Sequence, residues 1–213
     1  MITINIDPIL FRLGLLTVSW HSLLIVVGIV AAVVLVRWLV MQRSRLSVDT
    51  LYSITIWGIP GGVIGARLVA VVDRWDFYVG GPGNAFAIWE GGLAIWGAIL
   101  GGVLTIVIYG WVKKFPVGPY IDIMTPGLIL AQAIGRIGDI INGEHFSTET
   151  SLPWAVVYTH PESPAFGRVP THPAVAYELL MDLVILGILW RLLGRFRPNG
   201  ALFMIYLILY SVG

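Results

Sequence analysis

The 213-residue chain contains no cysteine and little charge. Without cysteine there are no disulfides, no thiolate metal sites and no cysteine nucleophile, so any thiol in its chemistry arrives with a substrate. Charged residues make up 12% of the chain, whereas a soluble domain of this size carries about one quarter. Hydrophobic residues reach 57% and mean hydropathy is +0.87, so most of the chain is solvated by hydrocarbon. A net charge of +1 and the lack of a basic stripe interleaved with aromatics argue against nucleic-acid binding. The first hydrophobic segment lacks a Lys/Arg-rich start and a small-residue cleavage pattern, so it reads as a retained span rather than a signal peptide. Long repeats, low-complexity tracts and a second soluble domain are also missing.

What the chain does contain is spanning sequence. A membrane helix needs about 20 apolar residues, which predicts five complete spans at roughly 18–41, 51–72, 89–112, 121–139 and 172–193. A sixth begins near Ala201 and stops at Gly213, which reads as a C-terminally truncated chain. The expected fold is all-α: a polytopic transmembrane helix bundle forming a single membrane-embedded domain over residues 1–213. Arg37, Arg43, Arg45, Lys113, Lys114, Arg191, Arg195 and Arg197 fall after the first, third and fifth spans. The positive-inside rule makes that side cytoplasmic and the N-terminus external. Gly61 with Gly65, and Gly97 with Gly101, have the small-xxx-small spacing of close helix packing. Pro126 can start the fourth helix, and "PESPAFGRVPTHP" reads as an extended outer loop.

The chemistry gathers in "GLILAQAIGRIGDIINGEHF", residues 127–146. On a helix Gln132, Arg136, Asp139 and Gly143 share a face, with Asn142 and Glu144 close by at its outer end. A cation there costs a few kcal/mol unless paired or hydrated. A snorkelling arginine with local partners explains Arg136 alone, but the whole set reads as a polar site. A planar, permanently charged guanidinium suits a phosphate. Arg67, late in the second span, is either a substrate contact or a snorkelling side chain. Tyr177 reads as an interfacial anchor, and Glu178 as a costly residue without an assigned role. The four histidines lack ligand spacing, and no metal or cofactor is called for.

"GRIGDIINGE" resembles the signature of the bacterial prolipoprotein diacylglyceryl transferases, Gly-Arg-x-Gly-Asn-Phe-x-Asn-x-Glu. "DPILFRLGLLTVSWHS", "GGVIGARL", "WEGGLAIWGAILGG" and "HPAVAYELL" are similar to that family's first, second, third and fifth spans, in the same order. The resemblance implies transfer of a diacylglyceryl group from phosphatidylglycerol to the lipobox cysteine of a preprolipoprotein. The reaction would occur at the outer face of the bacterial cytoplasmic (inner) membrane, among membrane lipids. It makes Arg136 the first choice for the phosphate contact; Asp139, Asn142, Gly143, His21 and Arg67 complete the expected lipid-binding set. Arg136, Glu144 and Glu90 are the catalytic candidates, the two glutamates without a motif match for that role. Trp96 stands where many relatives have histidine, His21 where they have tyrosine, Asp139 where they have asparagine, and Ser147 where a glycine often follows. The general base is left open among Glu90, Glu144, His21 and His145, or no dedicated base at all. The competing reading is a transporter with an outward-facing anionic-substrate site, since intramembrane charges also mark solute pathways. An intramembrane protease lacks a suitable serine–histidine or aspartate pair, and a structural scaffold leaves the cluster without a purpose.

Overall fold

The computed structural model describes residues 1–13, 16–79, 85–86, 92–195 and 199–212. Trp89, Glu90, Arg197 and Gly213 lie outside the described residues. Among the described residues four short strands precede or interrupt the helices: β1 (Ile2–Ile4), β2 (Ile9–Leu13), β3 (Leu16–Ser19) and β4 (Val156–Tyr158). The helices are α1 (Trp20–Arg43), α2 (Val48–Asp73), α3 (Trp75–Val79), α4 (Ile95–Lys113), α5 (Val117–Asn142), α6 (Ala174–Leu192) and α7 (Ala201–Val212).

α1, α2, α4 and α5 are long and apolar enough to cross a membrane, and the chain is a multi-pass membrane protein. α6 matches α4 in length, at 19 residues, but carries Glu178, Asp182 and Arg191, which remove it from that group. α7 is apolar but only 12 residues long. The fold is therefore mostly helical rather than all-α. Pro126 does not start α5: the helix begins at Val117, nine residues earlier in the chain, and Pro126 lies buried inside it. Pro119 in the first turn fits where no amide donor is needed, which explains how the helix can begin so early. The expected extended loop at 161–173 is a series of turns and bridges, with Val156 and Glu149 both paired to Thr171.

The chain forms two compact units, Met1–Trp38 with Asp122–Gly213, and Leu39–Ile121. In the first, β1 pairs in parallel with β4 (Ile2 with Val156, Ile4 with Tyr158), and β2 and β3 form an antiparallel hairpin. α1 and α5 run antiparallel at close range because glycine removes side chains where they meet. A Cβ on Gly28 would lie 2.9 Å from the Ala131 carbonyl oxygen, and one on Gly138 would lie 2.7 Å from the His21 Cα. Trp38 stacks on Trp190 of α6. Asp122 accepts from the Gly200 and Phe203 amides at 2.8 and 3.1 Å, capping the start of α7. A carboxylate there satisfies amides that lack helical partners and complements the helix dipole.

In the second unit α2 and α4 also pack through glycine. A Cβ on Gly65 would meet the Gly97 carbonyl oxygen and sit 2.7 Å from the Gly101 Cα, as the small-xxx-small spacing predicts. Ser47 caps α2 by accepting from the Thr50 amide at 3.3 Å. Its own amide donates to the buried Tyr120 hydroxyl at 3.0 Å.

Candidate active site

The first unit builds a charged site on the last two turns of α5. Arg136 Nη1 lies 3.3 Å from Asp139 Oδ2 on the same helix, and its Nη2 lies 2.7 Å from Glu178 Oε2 on α6. Tyr210 of α7 also hydrogen-bonds Arg136. Asp139 is almost fully buried, and its other oxygen sits 2.6 Å from His21 Nδ1. That contact exists because Gly138 lets α1 approach at His21. A guanidinium has five N–H donors, and the two carboxylate contacts use one from each terminal nitrogen. The Arg136 side chain retains 21% exposure, so it is ion-paired yet open to a further anion.

Beyond Arg136, Asn142 donates to Glu144 Oε1 at 2.6 Å, which fixes an exposed carboxylate just past the helix end. The helix stops at Gly143, whose φ of +70° is left-handed. A Cβ there would lie 2.7 Å from both Ser163 Oγ and Tyr158 Cε1, so the backbone conformation and the space around it together favour glycine. Tyr158 donates to the Ile140 carbonyl at 2.8 Å and Ser163 to the Asn142 carbonyl at 3.2 Å. These bonds tie the α5–α6 connection to the end of α5. Burial, with the Asp139 charge second, pushes the Tyr158 phenol above its usual range, so it stays a neutral donor. A cavity of about 280 Å³ opens beside this junction, with Tyr158, His145 and Phe146 in its lining and Arg168 stacked 3.6 Å over the Phe146 ring.

Glu178 was visible in the sequence, but its partner was not. Adjacent Tyr177 accepts from Trp154 Nε1 at 2.7 Å and lies 3.4 Å from His172 Nδ1. The first turns of α6 therefore join the α5–α6 connection to the arginine. Asp182, one turn further on, is 2% exposed, and its Oδ2 has no hydrogen-bond partner among the described residues. Two acids four apart in an apolar helix were the signal for this side of the site. Tyr206 donates to Gln132 Oε1 at 3.0 Å, extending the polar seam onto α7.

Of the expected site residues, His21, Arg136, Asp139, Asn142, Gly143 and Glu144 come together in this unit. Arg67 belongs to the second unit, where the exposed Trp96 is the second residue of α4; Glu90 lies outside the described residues. No group of three or more His, Asp or Glu among the described residues is arranged to hold a metal ion. The cluster can grip an anion through Arg136, and an exposed carboxylate, Glu144, is held by Asn142 at the end of the same helix.

A family model described as prolipoprotein diacylglyceryl transferase matches residues 8–213. A phosphatidylglycerol–prolipoprotein diacylglyceryl transferase of Dehalococcoides mccartyi is 36% identical over 212 residues, covering 99% of this chain and 80% of the relative. Proteins of the same name from Trichormus variabilis and Acaryochloris marina are 36% and 37% identical, each over 97% of this chain and 76% of the relative. With a match across nearly its whole length, the chain belongs to the prolipoprotein diacylglyceryl transferase family.

Proposed function

We propose that this protein transfers the diacylglyceryl group of phosphatidylglycerol to the lipobox cysteine thiol of a preprolipoprotein, the first step of bacterial lipoprotein maturation. The observation that carries the reading is the 36% identity, over 99% of the chain, to a relative named for that activity. The acceptor sulfur forms a bond to the diacylglyceryl carbon as the bond from that carbon to the phosphate oxygen breaks. The oxygen keeps the electron pair, and glycerol phosphate leaves. Arg136 stabilises the charge as it develops on the phosphate, where a pre-positioned donor has most effect. Asp139 and Glu178 hold the guanidinium in place. Asn142, Gly143 and His21 shape the headgroup site with Asp139. A thiol of unperturbed pKa near 8.5 needs only a modest base; exposed Glu144, oriented by Asn142, is the first candidate and Glu90 the second.

The reading takes the whole chain as one transferase domain of the bacterial inner membrane, with α6 as a fifth span and α7 entering as a sixth. The N-terminus and the end of α5 face outward. The cations at Arg37, Arg43, Arg45, Lys113, Lys114, Arg191 and Arg195 support this orientation.

The test is an assay with labelled phosphatidylglycerol and lipobox peptides carrying cysteine or serine at the acceptor position. Label is expected on the cysteine peptide alone. Arg136→Ala should lower the rate by about 10²–10³ while the protein still inserts and purifies. Undiminished transfer by Arg136→Ala refutes its role, and absence of any lipidated peptide refutes the activity.

A further inference from the structure

Arg67 lies in α2 with only 6% of its surface exposed. Its Nε donates to the Ala85 carbonyl at 2.8 Å, and its Nη1 donates to the Gly92 carbonyl at 3.1 Å and the Tyr78 hydroxyl at 3.3 Å. The guanidinium carbon sits 4.7 Å from the centre of the Tyr78 ring, in cation–π range. One rigid fork thus holds two backbone points seven residues apart and rests on an aromatic face. Gly92 is shaped to this arrangement. Its φ is +71°, and a Cβ would lie 2.5 Å from the Tyr78 hydroxyl and 3.3 Å from Arg67 Nη1.

Gly92, held in this way, leads directly into α4 through Leu93 and Ala94. Ala94, the N-cap of α4, supplies no side-chain cap, so the helix start is not fixed by its own sequence. The Ala94 amide instead donates to the Ala66 carbonyl at 3.1 Å, next to Arg67. The direction and starting point of α4 are therefore set by Ala66 and Arg67 of α2 and the Tyr78 ring of α3.

We propose that Arg67 is a positioning residue, a clamp on the return into α4, with Tyr78 and Gly92 as its counterparts, rather than a contact for lipid phosphate. The link to activity rests on the transferase reading, in which the "WEGGLAIW" stretch entering α4 serves transfer. Arg67→Lys decides between the two roles. An ammonium keeps the charge but is a compact point donor that cannot reproduce the planar fork, so a clamp fails with lysine while a phosphate contact largely survives.

The experiment compares the parent with Arg67→Lys, Arg67→Met, Tyr78→Phe and Gly92→Ala by amide hydrogen exchange over residues 92–98 and by steady-state transfer kinetics. Protection in Arg67→Lys and Arg67→Met should fall equally, by about tenfold or more. Their kcat should drop about tenfold, with the KM for phosphatidylglycerol within twofold of the parent. Gly92→Ala should reproduce this phenotype. Combining Arg67→Lys with Gly92→Ala should be no worse than either change alone, because both break one unit. Tyr78→Phe keeps the ring and should lose only part of the protection, which keeps the test open if a harsher variant fails to fold. Normal exchange and kinetics in Arg67→Lys, with a raised lipid KM in Arg67→Met, would overturn the clamp. If the parent transfers nothing, the transferase reading fails and the exchange data alone decide the clamp.

Discussion

At the scale of single residues, the candidate site is a problem in charge balance. Arg136 meets Asp139 and Glu178, with Asp182 a turn further along α6. A guanidinium between two carboxylates is oriented before substrate arrives, but a phosphate entering the site shares it with them. The two carboxylates do different work. Asp139 is buried and also bound to His21, whereas the Glu178 side chain is 40% exposed. Glu178→Gln keeps the shape and an acceptor oxygen but removes a charge. The oxygen that meets Arg136 is buried, so screening does not cancel the pair, and the loss on folding should be about 1–3 kcal/mol. Transfer should fall as well: kcat reduced about tenfold, with the lipid KM unchanged or lower. A raised KM with normal kcat would show that Glu178 contacts the headgroup itself rather than positioning Arg136.

At the scale of elements, glycine sets which helices meet and how closely. Gly138 lets His21 reach Asp139, so a packing residue decides a contact in the site. Gly65 meets backbone on α4, the Gly97 oxygen and the Gly101 Cα, and backbone cannot swing aside as a side chain can. Gly65→Leu should therefore destabilise the α2–α4 pair by about 1–3 kcal/mol or more. At Gly187 in α6 an added Cβ would meet nothing within 4 Å, and Gly187→Leu should be close to neutral. Thermal unfolding in detergent measures both. Equal losses would mean that close approach is not the reason for glycine at position 65.

At the scale of the whole molecule, scarcity of charge and its placement carry the topology. With no native cysteine, single introduced thiols report sidedness without background. Thr148→Cys, in the connection after α5, should react with a membrane-impermeant maleimide on intact cells. Gln42→Cys, in the last turn of α1, should react only after permeabilisation. The opposite pattern would invert the proposed orientation and place the Arg136 cluster on the cytoplasmic face.

Membrane class, the approximate positions of four spans, the glycine packing pairs and the Arg136–Glu144 motif were legible in the sequence by itself. Each depends on local composition or on residues within a few turns of one helix, and solvation by hydrocarbon enforces it wherever the neighbours lie. Only the tertiary structure decided that Glu178 closes on Arg136 and that His21 reaches Asp139. It alone paired β1 with β4, at opposite ends of a long stretch of chain, and it showed Arg67 holding backbone carbonyls. These contacts join segments far apart in sequence, and their partners are chosen by helix approach and by the need to satisfy buried polar groups. Pro126 shows the same division: proline marks a helix start by local rules, yet α5 begins nine residues earlier and continues past Pro126, which is fully buried inside it.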